Sequence, residues 1–185
     1  MGTVLTYIKV DGIQLIYFVV QVNSLVSQGF VWQLVTSAIF VYGNLLGLLD
    51  AVSNIIALYF IDPLISPVYS RRWFYGTFFS TAVFGNILSY FFYPPFTVSF
   101  GASGGIFGLL GGAVSFDYFF NRKVNTYLLA WFLFVFIIST YSTSVVDVFA
   151  HAGGTLLGLL IGAYLGNKRR GAYLHGYEYR WRGFQ

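Results

Sequence analysis

Long apolar runs, separated by short polar segments, repeat along this chain. Each run is close to the ~20 residues that a helix needs to cross roughly 30 Å of hydrocarbon. Backbone polar groups have no water to bind in lipid, so each run is predicted to be a helix. The pattern therefore predicts an all-α, polytopic membrane protein built as a bundle of six transmembrane helices. The predicted spans are 1–22, 35–61, 73–92, 103–120, 124–140 and 148–166.

The two ends of the chain fit this pattern less well. Lys9 and Asp11 interrupt the first run, whose clean apolar part begins only at Gly12, so we expect a short or shallow first helix. Beyond the sixth run the chain is too polar to span and is rich in tyrosine, tryptophan and arginine. We therefore predict a six-helix domain over residues 1–166 and a basic aromatic cytoplasmic tail over residues 167–185.

Composition supports membrane insertion and narrows the available chemistry. Of the 185 residues, 57% are hydrophobic and 9% are charged, and the mean hydropathy is +0.72, which leaves too little polar surface for a soluble globule. The chain has no cysteine, two histidines and six acidic residues, so we expect no disulfide, no metal site and no cofactor. With thiol and metal chemistry excluded, the most plausible reactive group in the chain is a hydroxyl.

Basic residues orient the predicted bundle. The net charge is +4, but the basic residues form short clusters between apolar runs, as membrane-flanking charges do, so we expect no nucleic-acid binding. The loops on the opposite side, 23–34, 93–102 and 141–147, contain no lysine or arginine. By the positive-inside rule, both termini are cytoplasmic. The clusters are Arg71 and Arg72; Arg122 and Lys123; and Lys168, Arg169, Arg170, Arg180 and Arg182.

Two residues that could do chemistry lie at the outer ends of predicted spans. Ser103 starts the fourth span between glycines, and His151 lies near the start of the sixth at a similar depth. A serine hydroxyl is a weak nucleophile until a base takes its proton, and His151 is placed to do so. Alternatively, Ser103 caps its helix and His151 is a buried polar residue bonded across helices. The shared depth and the glycine neighbours favour a catalytic dyad.

Small residues provide a way for these two helices to approach each other. Glycines at four-residue spacing allow helix axes to lie unusually close. Phe107, one turn below Ser103, is placed to pack against the imidazole, or it is a plain core or lipid-facing aromatic. Asp147 either orients the His151 ring or caps the sixth helix, and we favour the cap. The two glycine ridges are Gly104, Gly108 and Gly112 in the fourth span and Gly154, Gly158 and Gly162 in the sixth.

Four motifs resemble those of the rhomboid intramembrane serine proteases. The segment Gly101-Ala102-Ser103-Gly104 is similar to that family's Gly-x-Ser-Gly, and Ala150-His151-x-x-Gly154 is similar to its sixth-helix motif. These two are specific in combination. In support, Trp32-Gln33 resembles the family's Trp-Arg, and Asp50 to Asn54 occupy the place of its His-x-x-x-Asn. The resemblance extends over most of the chain.

The resemblance implies a function and a set of roles. Ser103 is then the nucleophile, and His151 is the general base and afterwards the acid. Asn54 and the backbone amide of Ser103 form the oxyanion hole, and Gly101 supplies flexibility before the nucleophile. The implied substrates are transmembrane proteins, cleaved within the lipid bilayer near the outer face of a prokaryotic cell membrane.

Departures from the family pattern leave an alternative open. Gln33 replaces an arginine, Ser66 stands where a glutamate is expected, and Asp50 replaces a histidine that helps to hold the oxyanion. An ionised Asp50 would repel the charge that develops there, whereas a protonated one would donate to it. The alternative function is therefore a catalytically impaired rhomboid-like pseudoprotease that binds membrane helices. A small transporter is disfavoured because no charged relay crosses the spans.

Overall fold

A computed structural model of the chain describes residues 2–10, 13–141 and 147–182. Within these residues the fold is mostly helical, with short strands only in the segments before α2 and before α6. The helices are α1 (Gly2–Tyr7), α2 (Asn23–Ser27), α3 (Gln33–Thr36), α4 (Leu45–Ile65), α5 (Arg71–Phe92), α6 (Ser103–Asn121), α7 (Thr126–Tyr141) and α8 (Val148–Arg182). The strands are β1 (Lys9–Val10), β2 (Ile13–Gln14), β3 (Gln21–Val22) and β4 (Val98–Ser99), and a 3-10 helix covers Leu15–Phe18.

The third, fourth and fifth predicted spans correspond to α5, α6 and α7, whose ends lie within two residues of the predicted limits. Helix α8 begins at the predicted residue but continues to Arg182 without a break, so the domain limit predicted after residue 166 falls inside a helix. This extension packs on the end of α6, where Arg170 donates to the Phe120 carbonyl over 2.8 Å.

The prediction of a first membrane helix is wrong for residues 13–22. This segment forms two short strands around a 3-10 turn, and its apolar side chains Ile16 and Val20 are buried in a local core rather than facing lipid. Its strand β3 pairs in antiparallel fashion with β4, just before α6. The apolar character of the segment therefore reflects packing within a loop, and the described residues contain five long helices rather than six.

The second predicted span is too long at its start. Residues 37–44 lie outside any helix, and α4 begins only at Leu45, where the Asn44 side chain accepts a hydrogen bond from the Gly47 amide over 2.9 Å. An asparagine in this position satisfies one of the free amides at a helix start. Asp50 consequently lies in the second turn of α4, near the end of the bundle where α4 begins, and not near mid-helix as the predicted limits placed it.

Two described helices are both long and apolar enough to cross a membrane, namely α4 and the Val148–His175 part of α8. Helix α7 adds a shorter apolar stretch over Thr126–Ile137. Large hydrophobic side chains of α4 are exposed along most of its length, among them Leu49, Ile56 and Phe60. A surface of this kind needs lipid rather than water around it.

Helix α6 is the buried centre of the bundle and packs against α4, α5, α7 and α8. Its contact with α8 is very close, because the two glycine ridges face each other in register. A methyl group added at Gly154, Gly158 or Gly162 would overlap the carbonyl oxygen of Gly104, Gly108 or Gly112, respectively. The prediction that the ridges bring the two helices together is confirmed, and this contact sets the separation of Ser103 and His151.

We expect Gly158→Ala to destabilise the protein by about 1–3 kcal/mol, the usual cost of overpacking a well-packed core. The added methyl has only backbone to meet, so the helices must separate. Gly76→Ala is the matched control, since this exposed α5 position has nothing within 4 Å of an added methyl. Thermal unfolding in detergent should show a lower midpoint for Gly158→Ala only. Equal midpoints for both variants would contradict the close contact.

Candidate active site

Backbone geometry at the start of α6 presents the hydroxyl of Ser103. The chain turns from β4 into α6 through Gly101, whose φ of +112° is a conformation that side chains disfavour. The Gly101 amide donates to the Ser37 carbonyl over 2.8 Å, which anchors this turn to the loop after α3. Ser103 is the first residue of α6, so its own backbone amide lacks a helical acceptor.

His151 lies in the first turn of α8, with its Nε2 atom 2.8 Å from the Ser103 hydroxyl oxygen. This distance suits proton transfer between a nucleophile and its base. The imidazole is buried, with 3% of the residue exposed. When Nε2 accepts the hydroxyl proton, the ring hydrogen must reside on Nδ1. The structure thus brings together the two residues that the sequence analysis paired.

Aromatic packing holds the imidazole in place. The rings of Phe107 and His151 are 4.4 Å apart between centroids and tilted by 41°, and Phe136 packs edge-on against the other side of Phe107. The Nδ1 atom of His151 is buried and has no hydrogen-bond partner among the residues that the structure describes. Ring orientation therefore depends on packing and on the position of α8, not on a carboxylate.

Asp147 caps α8, as favoured from sequence, and this prediction is confirmed. Its Oδ1 atom accepts from the Ala150 amide over 2.8 Å, and its carbonyl accepts from the His151 amide. Its Oδ2 atom accepts from Ser99, over 2.7 Å, and from Ser89. The alternative, in which Asp147 orients the His151 ring, has no contact to support it.

Asp50 and Asn54 lie one turn apart on α4, and the Asn54 side-chain amide donates to Asp50 Oδ2 over 3.0 Å. A methyl group built on Gly101 would lie 2.5 Å from the same Oδ2 atom, so the Asp50 carboxyl group touches the turn before Ser103. Asn54 is buried and Asp50 is partly exposed. Gly101 thus satisfies two demands at once, a positive φ and room for this carboxyl group.

A small cavity of about 10 Å³ lies beside Ser103, which is close to the space that one water needs. Its polar lining comes from Asn86, Ser99, Ser103 and Asp147. Among the described residues, no group of three or more histidine, aspartate or glutamate side chains could hold a metal ion.

Buried side-chain amides connect the segments before α4 to α5 by hydrogen bonds. The sequence analysis did not predict these hydrogen bonds. Gln21 donates to the Asn86 carbonyl over 3.0 Å, and Asn86 donates to the Leu34 carbonyl over 2.8 Å. Gln33, where the resemblance predicted an arginine, accepts from the Val22 amide over 2.9 Å. A signal was available on α5, where small or polar buried residues recur at four-residue spacing at Thr77, Thr81, Gly85 and Ser89.

Tyr93 ends α5 beside this network. Burial, together with the negative charge of Asp147, raises the pKa of the Tyr93 hydroxyl above its usual value, so the group stays neutral near pH 7. Its oxygen accepts a hydrogen bond from the Val148 amide over 3.3 Å. Tyr93 thereby adds a further contact between the end of α5 and the start of α8.

The fold and the site together define a helical membrane protein in which a buried histidine contacts a partly exposed serine near one end of the bundle. A family model described as the Rhomboid domain matches residues 28–168. The chain belongs to the rhomboid family, which comprises intramembrane serine proteases.

Comparison with characterised proteins agrees with this membership. Over 163 residues the chain is 30% identical to the Rhomboid protease GluP of Bacillus subtilis (strain 168). The alignment covers 86% of this chain but 31% of that protein, so the chain spans less than a third of the relative's length. No solved structure matches the chain.

Proposed function

We propose that this protein is an intramembrane serine endopeptidase that cleaves transmembrane segments of other membrane proteins. The observation that carries the proposal is the 2.8 Å contact between His151 Nε2 and the Ser103 hydroxyl, in a partly buried site where two apolar helices begin. Membership of the rhomboid family supports the same reaction class.

In the proposed reaction, His151 takes the proton of Ser103 as the serine oxygen attacks the scissile carbonyl. His151 then gives this proton to the leaving amine, and the peptide is left as an ester on Ser103. His151 then takes a proton from a water molecule, which attacks the ester, and returns it to the Ser103 oxygen as the ester bond breaks and the second product leaves. The first step needs a base beside the serine hydroxyl, and the second needs a base beside the water. His151 is the base in both steps.

The oxyanion of each tetrahedral intermediate needs hydrogen-bond donors. The backbone amide of Ser103 is one candidate, because the first amides of a helix lack internal acceptors. The Asn54 side chain is the other, since one of its two amide hydrogens is directed to Asp50 and the second is free for the substrate. Asp50 acts on this site through Asn54 and through its contact with Gly101.

Access for an apolar helix is supported by a groove between α4 and α7. The groove has a volume of about 330 Å³, and its walls are mostly apolar. Its residues include Ser53 and Ala57 on α4, one residue before and three residues after Asn54, and Phe134 on α7. A substrate helix would have to unwind near Ser103 to expose a peptide bond, so we expect small or helix-breaking residues near its cleavage site.

We propose that the bundle lies in a prokaryotic cell membrane with the C-terminal end of α8 in the cytoplasm and the dyad toward the outer face. The prediction that both termini are cytoplasmic does not hold for the described N-terminal residues, because five long helices follow them and the Gly43 amide, just before α4, donates to Thr6 at the dyad's end of the bundle. The cysteine-free chain allows a direct test with an impermeant thiol reagent. Phe96→Cys, at an exposed outer-loop position, should react in intact cells, and Lys123→Cys, exposed at the other end of α6, should react only after lysis. The reverse labelling pattern would contradict the orientation.

A second candidate function is a helix-binding pseudoprotease. It is favoured by one observation, namely that a carboxyl group at Asp50 accepts the Asn54 amide instead of leaving both of its hydrogens for an oxyanion. Labelling with a fluorophosphonate probe distinguishes the two functions. We expect the wild type to be labelled and Ser103→Ala to remain unlabelled. Absence of labelling in both would favour the pseudoprotease.

A further inference from the structure

The carboxylate of Asp147 joins three separate elements at the outer end of the bundle. It caps α8 through the Ala150 amide, and it accepts hydroxyl hydrogen bonds from Ser89 on α5 and Ser99 on β4. Both serines are buried, with 0% and 6% of the residue exposed. We call Asp147, Ser89 and Ser99 the outer clamp.

Hydrogen counting shows that the outer clamp depends on a carboxylate. Each serine hydroxyl carries one hydrogen, and both hydrogens are used by Asp147 even though the two serine oxygens are 3.2 Å apart. With the Ala150 amide, the carboxylate accepts three hydrogen bonds in all. An asparagine at position 147 could still cap α8, but its amide nitrogen could not accept from both serines.

The outer clamp connects the two chain segments that carry the dyad. Ser99 lies four residues before Ser103, in the strand that leads into the turn at Gly101, and Asp147 lies four residues before His151. Ser89 belongs to α5, whose backbone meets α8 closely where Gly85 faces Ala150. Helix α5 therefore provides a common support for both segments.

We propose that Asp147, Ser89 and Ser99 are positioning residues that set the approach of His151 to Ser103. The His151 ring has no hydrogen-bond partner at Nδ1 within the described part of the chain, so the placement of α8 decides the Nε2–Oγ distance. A misplacement of about 1 Å between reacting groups can cost about 10²-fold in rate. The inference rests on the proposed protease function and adds residues outside the dyad to it.

The test measures fluorophosphonate labelling rates, together with kcat and KM for a model membrane substrate, in Ser99→Ala, Asp147→Asn and the double variant. We expect each single variant to lower the labelling rate and kcat by about 10-fold or more, with KM unchanged. The double variant should be no slower than the slower single one, because residues that act as one unit are not additive. Ser80→Ala is the matched control, since this α5 hydroxyl bonds only within its own helix.

The outcomes separate the clamp from the protease function itself. Wild-type rates in both single variants, with Ser103→Ala unlabelled, would overturn the outer clamp alone. Additive losses in the double variant, or losses confined to KM, would also overturn it. An unlabelled wild type would overturn the proposed function and the clamp with it. Unfolding midpoints in detergent, measured for every variant, restrict the rate comparison to folded protein.

Discussion

Ser103→Ala and His151→Ala are each expected to lower cleavage of a model membrane substrate by at least about 10³-fold, while the protein stays folded in detergent. The reason is that the hydroxyl is the nucleophile and the imidazole its base, and loss of either stops the same step. The combined variant should be no slower than either single one. Cleavage rates from purified protein in detergent or liposomes provide the measurement.

Ser115→Ala is the matched control for Ser103→Ala. Ser115 lies on the same helix and is buried, with 8% of the residue exposed, but it is three turns away from the dyad. We expect this variant to cleave at the wild-type rate. Turnover near wild type in Ser103→Ala or His151→Ala would end the dyad hypothesis, provided that the unfolding midpoints match.

Hydropathy predicted the long helices where an apolar run and a helix coincide, as in α5 and α6. Hydropathy wrongly predicted a membrane helix around Ile16 and Val20. These side chains are apolar because they fill a small core between loop residues. A run of apolar residues does not reveal whether its environment is lipid or protein. The cap at Asn44, which starts α4, is a local signal that would have corrected the second span.

The dyad could be found from sequence because reactive side chains are scarce in this chain. His151 stands alone inside the apolar runs, and its depth matches that of Ser103. The supporting polar contacts were not predictable in the same way, because Gln21, Asn23 and Gln33 mostly bind backbone carbonyls or amides distant in sequence. Contacts with backbone groups produce no recognisable residue pattern in the sequence. The contact between the glycine ridges does, because the glycines on both helices recur at four-residue spacing.

Asp50 stands where the resemblance to the rhomboid proteases predicts a histidine, and the structure places its carboxyl group against the turn before Ser103. It accepts the Asn54 amide, so it acts as an acceptor at a site where the reaction needs donors. A histidine at this position would add a donor, and an asparagine would keep an acceptor for Asn54 while removing the charge. Both substitutions should therefore favour the developing oxyanion.

We expect Asp50→His to raise kcat, by up to about 10²-fold, which is the usual contribution of one oxyanion donor. Asp50→Asn should raise kcat by less, because it removes repulsion without supplying the same donor. Asp62→Asn is the control, since it removes an exposed carboxylate near the C-terminal end of the same helix, away from the dyad, and should leave kcat unchanged. A silent Asp50→Asn would mean that the carboxyl group is already neutral and donating. A large loss of cleavage in both Asp50 variants, with folding intact, would contradict both electrostatic accounts and give this carboxyl group a direct part in holding Asn54 or Gly101 in place.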